Sequence, residues 1–315
     1  MGDHGERDDV AAFLKFLNAL PGPRTHEVPP AEARTMMAAM RDVADAPVGE
    51  LAVNRIIEIP GPAGPMKAQI FDIMENRGPG PVMVFYHGGG FVIGDLFVYE
   101  PYCAEAARQL QLPVISIDYR LAPEHPFPAA TDDCEAATRW IAESPPELGF
   151  QVTGLITSGD SAGGNLTIVT TMALRDKPAA VPVILQHPIY PVVSDHGDWQ
   201  SVRDYSEGHL LTKDMMDWFT RQYAADMTDY RGAPLLFDQS GMPPSVVTTA
   251  SLDPLRDQGL AYVEALKNAG VKVQHVSADG NIHGHINLRK GIPSSQADID
   301  NYMQAVKAML SEVTA

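Results

Sequence analysis

The chain has 315 residues, 45% of them hydrophobic, which is enough to build one large α/β domain or two smaller ones. A formal net charge of −17 at pH 7 argues against nucleic-acid and anionic-membrane partners, because both are bound by basic surfaces. Two cysteines, Cys103 and Cys134, cannot form a disulfide framework, so both are expected as buried free thiols.

The N-terminus is polar and mostly acidic, and no apolar segment of the kind found in a secretory signal follows it. No later apolar run has the length of a transmembrane helix. The sequence therefore predicts a cytoplasmic protein without membrane insertion.

Two amphipathic helices are predicted in the first fifty residues. The first covers Val10–Leu20, with apolar residues at helical spacing, and a proline-rich break over residues 21–30 ends it. The second covers about Ala31–Ala44 and carries Met36, Met37, Met40 and Val43. Methionines at this spacing indicate either core packing or an adaptable apolar face that could line a site.

From residue 53 onward, short β-prone segments alternate with helices. The predicted strands are Arg55–Ile59, Lys67–Ile73, Val82–Tyr86, Val114–Ile117, Leu155–Ser158, Val183–Gln186, Val246–Thr249 and Lys272–Val276. A short Pro/Gly turn joins the first two, which predicts an antiparallel pair. Most later strand pairs enclose a helix, predicted at Tyr102–Gln109, Ala129–Glu143, Asn165–Arg175 and Gly259–Ala269. This alternation, closed by a helix over Gln296–Val313, predicts a mostly parallel sheet with helices on both faces.

Between Pro188 and Pro244 the strand pattern disappears for more than fifty residues. Loops and one helix, near Thr212–Tyr223, are predicted there. An insertion of this length in an α/β fold usually packs over the sheet as a cap.

A candidate nucleophile lies in Gly159-Asp160-Ser161-Ala162-Gly163, between an apolar strand and a helix. In such a strand-to-helix turn the flanking residues must be glycines because a Cβ would not fit, and the strain exposes the serine hydroxyl. The pentapeptide alone would occur by chance in about one chain in ten of this length, so its context has to carry the argument.

A second motif, His87-Gly88-Gly89-Gly90, directly follows the strand Val82–Tyr86 and is expected by chance in roughly one chain in two hundred. Consecutive glycines allow backbone N–H groups to turn toward a ligand. Acyl transfer requires such donors, because its tetrahedral intermediate carries a negative oxygen. A glycine-rich turn or an anion-binding loop is the alternative, although the motif lacks the signature of a phosphate loop.

A serine nucleophile needs a base and an orienting acid, and in this arrangement the acid precedes the histidine in the chain. Asp253 follows the strand Val246–Thr249, with Asp257 as the rival acid. His283 follows the last strand, with His285 as the rival base or a buried neighbour. The His-x-His pair lacks a third ligand at useful spacing, so no metal site is predicted.

At these residues the chain resembles the hormone-sensitive-lipase-like (family IV) bacterial carboxylesterases of the α/β-hydrolase superfamily, in the Gly-Asp-Ser-Ala-Gly subgroup. The resemblance covers about residue 53 to the C-terminus. The motifs that carry it are His87-Gly88-Gly89-Gly90-Phe91, Asp118-Tyr119-Arg120-Leu121-Ala122-Pro123-Glu124, Gly159-Asp160-Ser161-Ala162-Gly163-Gly164-Asn165, Asp253-Pro254-Leu255-Arg256-Asp257 and His283-Gly284.

The resemblance implies an α/β-hydrolase fold of about eight strands with a helical cap. It implies Ser161 as nucleophile, His283 as base and acid, Asp253 as orienting acid, and an oxyanion hole formed by the N–H groups of Gly89, Gly90 and Ala162. The cap would combine residues 1–50 with an insertion at about 190–243 in a catalytic domain of residues 51–315. The residues expected at the acyl pocket are Met36, Met37, Met40, Phe91, Met215, Trp218 and Phe219. One departure is His285, where similar proteins usually have an aromatic Phe.

The sequence thus predicts a cofactor-free serine carboxylesterase that acts on small-molecule esters with short- to medium-chain acyl groups. Two alternatives remain open at this point. One is another acyl hydrolase on the same scaffold, such as an amidase, a deacetylase or a lactonase. The other is a non-catalytic small-molecule-binding module. Similarity to these proteins also suggests a homodimer, although the sequence shows no interface pattern.

Overall fold

The structure, a computed structural model, describes residues 5–194 and 198–314. The first four residues of the segment used to judge a secretory signal lie outside the described residues, as do residues 195–197 of the predicted cap insertion and residue 315. Among the described residues, no helix is both long enough and apolar enough to cross a membrane.

One sheet of eight strands forms the centre of the fold, as the sequence predicts. The strands are β1 (Val53–Gly61), β2 (Gly64–Asp72), β3 (Gly80–Tyr86), β4 (Val114–Asp118), β5 (Val152–Asp160), β6 (Val183–Ile189), β7 (Ser245–Leu252) and β8 (Val273–Ile282). Their order across the sheet is β1-β2-β4-β3-β5-β6-β7-β8. The pairings of β2 with β1 and β4 are antiparallel, and the other five are parallel.

Nine helices accompany the sheet in the described part of the chain. They are α1 (Asp8–Ala19), α2 (Pro30–Ala44), α3 (Leu96–Leu110), α4 (Ala129–Ala142), α5 (Ala162–Asp176), α6 (Gln200–Tyr205), α7 (Lys213–Tyr223), α8 (Arg256–Asn268) and α9 (Ser295–Thr314). Helices α3 and α9 pack on one face of the sheet, and α4, α5 and α8 pack on the other. Alternate side chains of β3 show this division, because Met83 and Phe85 join the first core and Val82 and Val84 join the second.

Two elements extend further than the sequence pattern indicates. Helix α3 begins at Leu96 rather than near Tyr102, because Asp95 caps it by accepting the N–H of Val98 at 2.8 Å and the helix continues through Pro101. Strand β8 continues past Val276 to Ile282 although its second half is polar. It stays paired with β7 there, and the extension brings the residue after Ile282 to the edge of the sheet.

The N-terminal helices pack over the ends of the last two strands. Helix α1 buries Val10, Phe13 and Leu14 against Leu252 and Ile282, which end β7 and β8. Each such side chain contributes about 1.5–3 kcal/mol when fully buried. The predicted cap insertion contains α7, as expected, together with the short helix α6, which the sequence pattern did not indicate.

Candidate active site

Ser161 stands at the junction of β5 and α5, in a backbone conformation that few non-glycine residues adopt (φ 55°, ψ −115°). The neighbouring glycines are required by space. A Cβ on Gly159 would lie 2.4 Å from the carbonyl oxygen of Tyr86, and one on Gly163 would lie 1.9 Å from the same atom. The tight turn predicted from the sequence is therefore present, and it holds the serine away from the sheet.

His283 connects Ser161 to a buried carboxylate. Its Nε2 lies 2.9 Å from Ser161 Oγ, and its Nδ1 lies 2.7 Å from Oδ2 of Asp253. Asp253 directly follows β7 and His283 directly follows β8, so the three side chains meet at the carboxyl ends of parallel strands. The other carboxylate oxygen of Asp253 accepts the N–H of Leu255 at 2.7 Å. Asp253 is fully buried, and its two hydrogen bonds hold Oδ2 facing Nδ1 of His283.

The rival acid and the rival base lie outside this line of contacts. Asp257 accepts hydrogen bonds from the guanidinium of Arg256 and from the backbone N–H of Ser201, so its carboxylate is already engaged. His285 is fully buried, and its Nδ1 lies 3.0 Å from the carbonyl oxygen of Ile282. Burial lowers the pKa of His285, which favours a neutral ring that donates through Nδ1–H.

The residues Gly88–Phe91 come shortly after β3 and are here called the oxyanion loop, after the role predicted for Gly89 and Gly90. Gly89, Gly90 and Phe91 border the same site. Gly89 and Gly90 have positive φ angles of 105° and 60°. A side chain on Gly89 would collide with the carbonyl oxygen of Ile93 at 2.1 Å. Ala162 is the first residue of α5, where the N–H has no partner within the helix. The three N–H groups predicted as oxyanion donors thus belong to residues that line one cavity with Ser161.

His87 holds the start of the oxyanion loop. Burial lowers its pKa to about 4, so the ring is neutral, and its Nδ1 lies 2.7 Å from the carbonyl oxygen of Gly88. Because that oxygen only accepts, Nδ1 carries the proton. Tyr119 stacks on the imidazole at 4.2 Å and donates its hydroxyl to the carbonyl oxygen of His87 at 2.7 Å. The motif histidine therefore supports the loop and does not face the site.

A buried carboxylate beside the nucleophile, Asp160, gathers groups from several elements. Its Oδ2 accepts the hydroxyls of Tyr99 at 3.2 Å and Tyr190 at 3.3 Å, and the N–H of Gly88 donates to the same carboxylate. Burial raises the pKa of Asp160 to about 6, against the opposing effects of His283 and these donors. The sequence marks Asp160 only as part of the motif. Neither tyrosine carries a sequence signal that points to the site.

Ser161 and His283 line a cavity of about 770 Å³. Its lining includes the predicted pocket residues Met36, Met37, Met40, Phe91, Met215 and Phe219. The structure corrects the prediction that Trp218 lies at the acyl pocket. Its side chain does not line the cavity and is buried in the core beside Phe219. Successive helical residues point about 100° apart, so α7 turns one of these two rings inward and the other away. Met216 and Met227, which the sequence analysis did not select, also line the cavity.

No group of three or more His, Cys, Asp or Glu side chains is arranged to hold a metal ion within residues 5–194 and 198–314. Charged groups do border the cavity, among them Arg24, Arg203, Lys213 and Asp217. The lining near Ser161 is otherwise dominated by apolar side chains, which suits an uncharged or weakly polar ligand.

Comparison with known proteins gives one consistent result. Residues 83–287 match the family described as the alpha/beta hydrolase fold. The carboxylic ester hydrolase LipN of Mycobacterium tuberculosis is 36% identical and covers 97% of this chain and 78% of its own length. The ethyl acetate hydrolase of Pseudomonas putida is 38% identical over 73% of each chain.

Solved structures of esterases superpose on nearly the whole chain. An ester hydrolase from the metagenome of Lake Arreo, in complex with a derivative of bipyridine phosphonate, superposes with a TM-score of 0.91. It is 35% identical, and the match covers 97% of this chain and 99% of that one. A hyperthermophilic esterase from the archaeon Pyrobaculum calidifontis superposes with a TM-score of 0.90 at 32% identity, with the same coverage.

Proposed function

The chain belongs to the hormone-sensitive-lipase-like branch of the alpha/beta hydrolase family and is a carboxylic ester hydrolase, and we propose that Ser161, His283 and Asp253 form its catalytic triad. The observation that carries the proposal is the continuous line of contacts from Ser161 Oγ through the His283 ring to Asp253 Oδ2, at 2.9 and 2.7 Å. Substitutions that break the Ser161–His283 or the His283–Asp253 contact should strongly reduce or abolish ester hydrolysis.

In this mechanism Ser161 Oγ attacks the ester carbonyl carbon while His283 Nε2 accepts the hydroxyl proton. The protonated His283 then gives that proton to the leaving alkoxide, which departs as an alcohol and leaves an acyl-enzyme. Water attacks the acyl-enzyme with the same histidine as base, and the acid and free Ser161 are regenerated. Asp253 stabilises the imidazolium and keeps Nε2 directed at the serine.

The negative oxygen of each tetrahedral intermediate would be bound by the N–H groups of Gly89, Gly90 and Ala162. Each such donor is typically worth about 3–4 kcal/mol of transition-state stabilisation. Support comes from the positive φ angles of the two glycines and from the position of Ala162 at the start of α5. No cofactor is needed for this chemistry, since every proton transfer has a named group.

We further propose that the substrates are small-molecule esters with short- to medium-chain acyl groups, bound in the methionine-lined cavity. Residues 1–50 would contribute to the cap, because Met36 and Met40 of α2 line that cavity together with Met215 and Phe219 of α7. A homodimer and a cytoplasmic location stay predictions from the sequence.

The nucleophile is tested with Ser161→Ala and, as a control, Ser240→Ala on an exposed turn. Hydrolysis of p-nitrophenyl esters of increasing acyl length should be lost in the first variant and retained in the second. A phosphonate ester should modify the wild-type chain at Ser161 alone, as located by peptide mass spectrometry. Full activity of Ser161→Ala would overturn the assignment.

The acid is tested with a matched pair of carboxylates four residues apart. Asp253→Asn should lower kcat by roughly 10⁴-fold, because the ring would lose the acceptor that fixes its tautomer. Asp257→Asn should leave kcat close to the wild-type value, since that carboxylate pairs with Arg256. An equal loss in the two variants would contradict the choice of Asp253.

A further inference from the structure

Helix α7 of the cap contacts the oxyanion loop at two neighbouring residues. The ring of Phe219 lies directly against Gly90, so that a Cβ on this glycine would be only 2.2 Å from Phe219 Cγ. One helical turn later, the ring of Tyr223 stacks on Phe91 with centroids 3.8 Å apart and an angle of 7° between planes. The cap therefore touches the loop itself, in addition to covering the cavity.

The oxyanion loop is a segment that needs external support. Gly89, Gly90 and Phe91 follow one another with φ angles of 105°, 60° and 63°. A left-handed conformation is easy for glycine but strained for Phe91, and it persists only where the surroundings hold it. On the domain side, the N–H of Ala122 donates to the carbonyl oxygen of Phe91 at 2.9 Å, and the N–H of Ile93 donates to that of Gly89. On the cap side, α7 supplies the two rings.

Tyr223 is itself anchored to the catalytic domain. Its carbonyl oxygen accepts the N–H of Phe127 at 3.0 Å, and the Phe127 ring meets the Tyr223 ring edge-on at 5.7 Å. Its hydroxyl is buried and finds no hydrogen-bond partner in the described part of the chain. The ring, and not the hydroxyl, therefore makes the contacts that matter at this position.

We propose that Phe219 and Tyr223 are positioning residues that hold the oxyanion loop in the conformation in which the N–H groups of Gly89 and Gly90 face the ester oxygen. The cap helix then sets the rate of acyl transfer as well as access of the substrate. The inference rests on the proposed function, since it assumes that these N–H groups bind the oxyanion.

The test compares Tyr223→Leu with the conservative variant Tyr223→Phe, using steady-state kinetics on p-nitrophenyl butyrate. Tyr223→Leu should lower kcat and kcat/KM together by at least about tenfold, because the lost support affects donors that act in the transition state. Tyr223→Phe should restore most of the rate, because it keeps the stacked ring. Arg221→Ala, exposed on the same helix, is the control expected to match the wild-type chain.

Phe219→Leu provides a second variant in case Tyr223→Leu does not fold, which circular dichroism and thermal unfolding would detect. It should lower kcat in the same way, because it uncovers Gly90. A raised KM at unchanged kcat in the folded leucine variants would mean that the rings only shape the binding site, and would overturn the proposal. Equal losses in Tyr223→Phe and Tyr223→Leu would overturn it as well.

Failure of this inference is distinguishable from failure of the proposed function. If Ser161→Ala is inactive and the leucine variants keep their kcat, the triad assignment stands and the positioning role falls. If Ser161→Ala stays active, the proposed function itself is wrong, whatever the cap variants do.

Discussion

The ring of Tyr190 packs on the imidazole of His283, with centroids 4.5 Å apart and an angle of 52° between the planes. The same tyrosine donates its hydroxyl to Asp160 at 3.3 Å and meets the ring of His285 edge-on at 5.3 Å. It directly follows β6 with a positive φ angle of 31°. These contacts indicate that the ring of Tyr190 supports His283, the proposed base. The support is additional to the hydrogen bonds of His283 with Ser161 and Asp253.

Replacement of Tyr190 by leucine should therefore lower kcat, because His283 would lose the ring contact that limits its movement. A displacement of about 1 Å in a catalytic group can cost 10²-fold in rate, so a loss of about 10- to 100-fold is expected. Tyr190→Phe keeps the ring and loses only the bond to Asp160, and its loss should be smaller. Steady-state kinetics and thermal unfolding of both variants test this. Equal kcat values for the leucine variant and the wild-type chain would exclude the supporting role.

Asp160 should make the stability of the protein depend on pH. Its folded pKa of about 6 lies above the ordinary value of 3.8, so the folded state binds the proton more tightly than the unfolded state. The free energy of unfolding should then fall as pH rises from about 4 to 6, by up to roughly 3 kcal/mol, and change no further from this cause above pH 7. Tyr99 and Tyr190 stay neutral over this range, since burial raises the pKa of each well above 10.

Asp160→Asn isolates this effect, because the amide is neutral throughout and His283 is retained. The stability of the variant relative to the wild-type chain should increase between pH 4 and pH 6 and then level off. Urea unfolding at closely spaced pH values measures the difference. A difference that is constant with pH would mean that the carboxyl group titrates normally in the folded state.

The sequence predicts the residues of the proposed triad better than it predicts the residues that surround them in the site. Ser161, Asp253 and His283 are identifiable because each follows a β-prone segment at the edge where parallel strands end. Tyr190 follows such a segment too, but a tyrosine between Pro188 and Pro191 carries no chemical pattern of its own. Its role depends on which residues the turns bring beside it in three dimensions.

Helix α7 of the predicted cap shows a second limit of prediction from the sequence. Trp218 and Phe219 are adjacent and both apolar, so the sequence gives no reason to prefer either one for the cavity. The rotation of α7 decides it, because it places Phe219 at the cavity and buries Trp218 in the core. The polar second half of β8 escaped detection for a related reason, since its pairing with β7 outweighs weak strand propensity.

His285 should destabilise the protein under mildly acidic conditions. Burial lowers its pKa, so its contribution to stability is present above the ordinary value of 6.5 and is lost as pH falls below it. His285→Phe removes this titration together with a buried Nε2 that lacks a partner among the described residues. The substitution also removes the hydrogen bond between His285 and the carbonyl oxygen of Ile282. The free energies of unfolding of His285→Phe and the wild-type chain should therefore agree within about 2 kcal/mol at pH 8.

At pH 5 the phenylalanine variant should be more stable relative to the wild-type chain than it is at pH 8. Urea unfolding of both chains at the two pH values gives the comparison. The opposite trend would indicate that the imidazolium is stabilised in the folded state.

The buried ion pair between Asp45 and Arg289 should make the stability of the protein sensitive to the loss of either one of its two charges. Asp45 ends α2, Arg289 lies six residues after His283, and their side chains are 1% and 2% exposed. The guanidinium donates to both carboxylate oxygens, at 2.7 and 3.0 Å. Asp45→Asn should cost about 3–5 kcal/mol in the free energy of unfolding, because it leaves the buried guanidinium of Arg289 charged and without its hydrogen-bonded carboxylate.

The control is the pair between Arg34 and Glu124, whose carboxylate is 52% exposed. Glu124→Gln should cost less than about 1 kcal/mol, since water compensates for the lost partner. Replacing both buried charges, as in Asp45→Leu with Arg289→Met, should recover much of the loss, because no uncompensated charge remains. Urea unfolding at neutral pH measures all three. If Asp45→Asn cost no more than Glu124→Gln, water would have to reach Arg289, and the attachment of α2 would depend on its apolar contacts and on the hydrogen bonds of Arg34 and Arg41.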